Sequence, residues 1–177
     1  MKNTNFVEKY IIEDNICDGL LDYYEKNKDY RKTDKNASSV FIYPHNKNQW
    51  VQAHEAAVIQ CMKEYCAKYK IKNSSFGLDH NSAITCFSAN TGHPNYFYGR
   101  NALVQAGNLI ASRVLVYVTY LNDIGEGGET DFFWQKLKIK PKKGLTLFWP
   151  TEFTHSYKHL SAPKEKKYLI TGFINYI

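Results

Sequence analysis

The chain contains 177 residues and carries a formal net charge of +6 at pH 7, and this length fits one domain with a buried core. Hydrophobic residues make up 44% and aromatic residues 15% of the chain, which excludes an intrinsically disordered protein. No apolar run approaches the roughly 18–20 residues of a transmembrane helix, so we expect no membrane partner.

The cysteine spacings and the distribution of charge argue against a zinc-finger protein and against a nucleic-acid-binding protein. None of the cysteine spacings matches CxxC or a zinc finger, so we expect free thiols in a reducing compartment. The chain begins with mixed polar sequence and predicts no secretory signal, which favours the cytoplasm. The lysines that make the chain basic are spread along it, so we interpret them as a solvated surface and do not expect a nucleic-acid partner. The cysteines are Cys17, Cys61, Cys66 and Cys86.

The first half of the chain predicts two helices and two short strands. Ile11-Ile12 is the first predicted strand, and Val40–Tyr43 is the second. Asp14 is expected to cap a helix through its side-chain oxygen. Apolar residues from Gln49 to Tyr69 recur with a period close to 3.6 residues, which predicts a long helix packed on a sheet. The apolar face of the first helix consists of Ile16, Leu20, Leu21 and Tyr24.

After Lys70 the chain is rich in β-branched and aromatic residues and predicts strands. Turns are expected at Gly125–Gly128 and Pro141–Gly144. Two helices followed by many short strands favour a β-sandwich or jelly roll with helices outside one sheet. No linker or repeat divides the chain, so residues 1–177 are interpreted as one domain. The predicted strands are Ala83–Phe87, Val114–Leu121, Asp131–Phe133, Leu137–Ile139, Leu145–Phe148 and Tyr168–Tyr176.

The last third of the chain contains motifs in a characteristic order. Arg113 to Asp123 reads RVLVYVTYLND, Gly127 to Thr130 reads GGET, and Lys167 to Phe173 reads KYLITGF. This order resembles the prolyl-4-hydroxylase-like branch of the Fe(II)/2-oxoglutarate oxygenases, especially the short enzymes of phage and marine microbes. The resemblance, from about Ile12 to the end, implies a mostly β fold, a double-stranded β-helix (jelly roll, cupin-like) packed against N-terminal helices. A viral source would make the compartment a host cytoplasm.

The resemblance also implies a site for 2-oxoglutarate. Lys167 matches the residue that pairs with the distal carboxylate, Thr171 matches the hydroxyl beside it, and Tyr120 matches a tyrosine that donates to the same carboxylate. A buried dicarboxylate needs such a cation and such donors. Alternation along the final strand would place Lys167, Leu169 and Thr171 on one face. The sequence therefore predicts a small-molecule dicarboxylate as partner.

The iron ligands of the family are not found at the expected positions. A non-haem Fe(II) oxygenase uses two histidines and one carboxylate, and the resemblance places the first pair as His-x-Asp/Glu between Phe87 and Arg113. Reading without gaps puts this pair at Phe97 and Gly99. A shortened loop would use His93-Pro94-Asn95, where an amide replaces the anion. Shifts by one or two residues give Tyr98 with Arg100 or Gly99 with Asn101.

The third ligand is also replaced. By resemblance, the fifth position of the segment 153–159 binds iron, and here it is Tyr157, ten residues before Lys167 as in the family. His155 or His159 could take its place only if this strand shifts its register relative to its neighbours. A shift by two residues would keep the side chains on the same face of the sheet, and a shift by one residue would not.

Three interpretations follow. In the first, the protein keeps the 2-oxoglutarate pocket but its iron centre is degenerate, and it acts in binding or assembly. In the second, it is an active Fe(II)/2-oxoglutarate-dependent hydroxylase with unusual ligands such as His93 and His155. In the third, a different reaction takes place in the same barrel, with Tyr157 and Tyr98 near its centre as candidate catalytic residues and with either no metal or a different metal. The substrate, a protein or a small molecule, is not identified by the sequence.

Overall fold

The computed structural model describes residues 4–72, 76–100 and 112–177. Within them, helices α1 (Asp14–Lys26) and α2 (Gln49–Tyr69) accompany ten strands in two antiparallel sheets. The strands are β1 (Glu8–Ile11), β2 (Lys32–Thr33), β3 (Ala37–Ile42), β4 (Phe76–Phe87), β5 (Arg113–Tyr120), β6 (Thr130–Phe132), β7 (Leu137–Ile139), β8 (Leu145–Pro150), β9 (Tyr157–His159) and β10 (Lys167–Tyr176).

The two sheets face each other as in the predicted jelly roll. The larger sheet has the order β1-β8-β5-β10-β4-β3-β2, and the smaller sheet has the order β7-β6-β9. A bridge between Phe97 and Tyr157 adds one more position to the smaller sheet. One core lies between the sheets and includes Val118, Trp149 and Phe132. A cavity lined by residues of both sheets opens into this layer.

The helices pack against the other face of the larger sheet. The Asn48 side chain caps α2 by accepting hydrogen bonds from the backbone N–H groups of Trp50 and Val51. Gly19 of α1 makes the close helix–helix contact possible, because a Cβ atom there would lie 2.1 Å from the Trp50 ring. The helices therefore close one side of the larger sheet, and its other side faces the cavity.

Several predicted boundaries are wrong. Asp14 is the first helical residue and not the cap, and the cap residue Glu13 makes no side-chain cap hydrogen bond. Strand β4 begins at Phe76, seven residues before the predicted Ala83, because its polar first half pairs with the end of β10. Strand β9 was not among the strands predicted from β-branched and aromatic residues. It is only three residues long and polar in sequence, and its pairing with β6 defines it.

Two further expectations concern the whole chain. All four cysteines are buried and free, as predicted. Neither helix in the described part of the chain is long and apolar enough to span a membrane.

Candidate functional site

A cavity of about 210 Å³ opens between the two sheets. Strand β10 forms one wall, because alternation along a strand points every second side chain the same way. Thr171 lies on this wall, on the face where it was predicted. The lining residues are Thr85, Phe87, His93, Phe97, Tyr157, His159, Leu169, Thr171 and Phe173.

Phe97 and Tyr157 lie directly opposite each other in the cavity wall. Each backbone N–H donates to the carbonyl of the other residue, at 3.0 and 2.8 Å, and the ring centroids are 4.3 Å apart. Tyr157 is 1% exposed, and burial raises the pKa of its phenol. Its hydroxyl has no hydrogen-bond partner among the described residues. Two of the three positions expected to bind iron are thus occupied by packed aromatic rings.

The third of these positions has no space for a side chain. A Cβ atom on Gly99 would lie 2.7 Å from Cγ2 of Val116 and 3.1 Å from the Phe173 ring. The Gly99 carbonyl accepts a hydrogen bond of 3.2 Å from Nη1 of Arg113. The Arg113 guanidinium stacks on the Phe173 ring at 3.5 Å. A fixed cation therefore lies beside the position where the family pattern has a carboxylate.

We expect Gly99→Ala to lower the free energy of unfolding by about 1–3 kcal/mol, because the added methyl group overpacks the wall. Urea denaturation would measure the loss. Gly125→Ala is the matched control, since the nearest atom to a Cβ there is an oxygen at the end of the Glu165 side chain. A Gly99→Ala loss no larger than the control would contradict the described packing.

The alternative alignments of the His-x-Asp/Glu motif also provide no pair of iron ligands among the described residues. Tyr98, predicted near the centre of the barrel, does not line the cavity, whereas its neighbour Phe97 does. Asn95 is exposed, and Arg100 pairs with Glu152 at 2.8 Å. Asn101 lies outside the described residues.

His93 and His159 lie side by side in the cavity, with ring centroids 5.1 Å apart. The Thr130 hydroxyl links His159 Nδ1, at 2.8 Å, to the Tyr120 hydroxyl. Burial, reinforced by Lys167, lowers the pKa of His93 to about 4 and that of His159 well below its ordinary value. Both imidazoles are therefore neutral at pH 7.

His155, the other predicted ligand, does not join this pair. Its ring nitrogens lie 3.0 Å from the Asn5 carbonyl oxygen and 3.0 Å from the Thr154 hydroxyl, and it does not line the cavity. The predicted combination of His93 with His155 is wrong, because the turn 153–155 precedes β9 and directs His155 toward the N-terminal segment.

Lys167 is the buried cation of the site and is 1% exposed. Its ammonium donates to the carbonyls of Gly128 and Leu160 at 2.9 and 2.7 Å, and it lies 5.1 Å from the Phe87 ring centroid. Burial lowers its pKa to about 8. An ammonium has three donors, and the third has no acceptor among the described residues. Lys167 therefore lies behind Phe87 and outside the lining of the cavity, with one donor that no described residue accepts.

Comparison with known proteins identifies the family. Residues 86–175, more than half of the chain, match the model described as the 2OG-Fe(II) oxygenase superfamily. The chain belongs to this superfamily. The chain is 26% identical over 135 residues to prolyl 4-hydroxylase subunit alpha-1 of Gallus gallus. The aligned region covers 68% of this chain but only 25% of that protein. It thus spans about a quarter of that relative.

Solved structures confirm the jelly-roll fold. The viral collagen prolyl hydroxylase of Paramecium Bursaria Chlorella virus-1, solved as its 2OG complex, has a TM-score of 0.76 at 19% identity over 97% of both chains. A Pseudomonas putida prolyl-4-hydroxylase has a TM-score of 0.75 at 13% identity, covering 98% of this chain and 94% of that one. A Trichoplax adhaerens prolyl hydroxylase with a hypoxia inducible factor peptide has the same score and identity, at 98% and 85% coverage.

The superfamily implies Fe(II) and 2-oxoglutarate, and the side chains of this oxygenase homologue fit the two groups differently. The described residues contain no cluster of three or more His, Cys, Asp or Glu side chains that could hold a metal ion. Residues 1–3, 73–75 and 101–111 contain none of these residue types. The donors present do not fit a facial triad of two histidines and a carboxylate. In contrast, Lys167 has an ammonium donor without an acceptor among the described residues, and Thr171 presents a hydroxyl in the cavity wall, although Lys167 itself does not line the cavity. A carboxylate is bound by donors of these kinds.

Proposed function

We propose that this superfamily member binds 2-oxoglutarate or a related dicarboxylate without an iron centre, and that it does not act as a standard dioxygenase. The observation that carries the proposal is the Phe97–Tyr157 ring pair, 4.3 Å apart. Phenyl and neutral phenol groups are not iron ligands of the facial-triad type. Gly99 also supports the absence of an iron centre, because a side chain at this position would clash with Val116.

The charges of the cavity favour an anion over a divalent cation. Lys167 is buried without a carboxylate hydrogen-bond partner, and Arg113 lies at the other end of the wall beside Phe173. The imidazoles of His93 and His159 carry no negative charge to offset them. Coulomb repulsion between Fe²⁺ and a cation is stronger in a poorly solvated cavity than in water. A carboxylate would instead be attracted from both ends.

The proposed roles differ from the sequence prediction at one residue. Lys167 would bind one carboxylate through its free donor, and Thr171 would donate its hydroxyl from the wall. Tyr120 would act indirectly, because its hydroxyl is bonded to Thr130, which in turn bonds to His159. Tyr157, whose hydroxyl has no hydrogen-bond partner among the described residues, would take the donor role that was predicted for Tyr120.

Anaerobic calorimetry tests the proposal. We expect 2-oxoglutarate to bind the purified protein in the absence of metal, and we expect Fe(II) to give no saturable heat, with or without 2-oxoglutarate. The expectation follows because Lys167 and Arg113 lie near the cavity and its described lining residues include no carboxylate. Stoichiometric, tight Fe(II) binding would overturn the proposal.

A second candidate function is an active hydroxylase with unusual ligands. The adjacent, neutral imidazoles of His93 and His159 favour it, because neutral imidazole is a good ligand for transition metals. The names of the similar proteins make a proline-containing peptide the substrate to try first. Release of succinate that depends on Fe(II), and that is lost in His159→Gln, would support this candidate.

A further inference from the structure

A basic groove lies apart from the central cavity, between the terminal strands of the two sheets. It measures about 480 Å³ and is formed by residues of β1, β7, β8 and the turns beside them. Lys140 donates to the Gly125 carbonyl at 2.7 Å. Asp123 is the one carboxylate among its described lining residues, and it accepts the Lys143 backbone N–H at 2.9 Å. The lining lysines are Lys9, Lys138, Lys140 and Lys142.

The positive charge of this groove is not neutralised by the protein itself. All four lysines are exposed, and none forms a salt bridge with a described residue. The remaining residues, 1–3, 73–75 and 101–111, contain no Asp or Glu. By contrast, the neighbouring Lys143 pairs with Asp18 at 2.7 Å. A cluster of lysines without salt-bridge partners attracts anionic groups and raises their local concentration.

The groove also lies beside unpaired strand edges. Strand β1 ends the larger sheet and β7 ends the smaller one, so in the described part of the chain neither has a partner on its outer edge. An extended peptide can add to such an edge through backbone hydrogen bonds. Lysines on an edge strand discourage pairing with similar chains. Because this chain carries +6, a second copy would be repelled and an acidic segment attracted.

We propose that this groove binds an extended acidic segment of a partner protein, with acidic and aliphatic residues in alternation. Alternate side chains of an added strand face opposite sides, so the carboxylates would meet the lysines while the aliphatic residues meet the groove floor. The floor lacks aromatic rings among its described residues, and single-stranded nucleic acids bind largely by stacking on such rings. The floor consists of Ile124, Ile139, Pro141 and Leu145.

Fluorescence anisotropy with the full chain tests this proposal. The probe is a short fluorescein-labelled peptide of alternating glutamate and valine, compared with a lysine–valine peptide and an oligo-deoxythymidine of equal length. We expect only the acidic peptide to bind saturably, with an affinity that falls as salt is added. Saturable binding of the oligonucleotide but not of the acidic peptide would overturn the proposal.

Charge reversal locates the binding surface. We expect the triple variant Lys9→Glu, Lys138→Glu, Lys142→Glu to bind the acidic peptide at least about tenfold more weakly, because like charges then face each other. The control is Lys26→Glu, Lys47→Glu, Lys63→Glu, which changes net charge equally at exposed lysines elsewhere. Circular dichroism confirms that both variants are folded. An equal loss of affinity for the acidic peptide in both variants would show nonspecific electrostatic attraction and would refute binding in the groove. Hydrogen exchange should also slow at one of the two edge strands, Glu8–Ile11 or Leu137–Ile139, when the peptide binds. Unchanged exchange in both strands would rule out strand addition.

Discussion

Lys167→Ala is expected to lower the affinity for 2-oxoglutarate by about thirtyfold or more. Truncating one partner of a buried, hydrogen-bonded charge pair costs on the order of 2–5 kcal/mol. Lys167 is the cation buried beside the cavity, 1% exposed, and its third donor has no acceptor among the described residues. Calorimetric titration of the variant with 2-oxoglutarate would measure the loss.

A loss of 2-oxoglutarate binding in Lys167→Ala must be distinguished from a loss of folding. The ammonium also donates to the carbonyls of Gly128 and Leu160, and leaving buried acceptors without donors costs about 1–3 kcal/mol each. Lys167→Met keeps the apolar stem and is the better-folded second variant. Lys166→Ala, at an exposed neighbour, is the control. If Lys167→Met unfolds cooperatively and yet binds 2-oxoglutarate normally, the cation assignment is wrong.

This experiment also distinguishes the two candidate functions. A metal-independent site would lose 2-oxoglutarate binding in Lys167→Met and show no dependence on Fe(II). An active hydroxylase would bind 2-oxoglutarate more tightly when Fe(II) is present and would depend on His159. The two outcomes differ because a metal ion supplies positive charge near the histidines, whereas Lys167 supplies it behind Phe87.

Strong local patterns predicted the fold well. The 3.6-residue period from Gln49 to Tyr69 predicted α2 with its observed bounds, and the motif order from Arg113 onward predicted the family and the jelly roll. Short or polar strands were missed because their stability comes from pairing. Strand β9 pairs with β6 through only three residues, and the polar start of β4 depends on β10.

Positions in the site could be predicted where the number of residues between two motifs fixes the alignment with the family. Counting from Phe87 and from Lys167 selected Phe97 and Tyr157, and the structure brings these two residues together. The contacts of Lys167 could not be predicted, since Gly128 and Leu160 reach it from distant turns. Thr130 was missed for the same reason. The Gly-Gly-Glu-Thr motif indicated a turn, and only the folded chain shows its last residue between Tyr120 and His159.

Mild acid is expected to destabilise the protein through its buried histidines, and His54 makes the clearest case. It lies between α2 and the larger sheet, 1% exposed, with Nε2 3.0 Å from the Thr119 hydroxyl. Burial lowers its pKa from 6.5 to about 3. Above pH 6.5 the histidine is neutral in both states. As the pH falls through 6.5, the unfolded chain takes up a proton and the native protein does not, so the free energy of unfolding decreases.

Over about two pH units below 6.5, this difference amounts to roughly 2–3 kcal/mol for His54. His93 and His159 act in the same direction, because their pKa values are lowered too. We expect His54→Gln, whose amide can still bond to Thr119, to lose less stability between pH 7 and about pH 4.5 in urea denaturation. His80→Gln is the control, since that side chain is 53% exposed. If His54→Gln and the unsubstituted protein lose stability in parallel as the pH falls, His54 is not held neutral by burial.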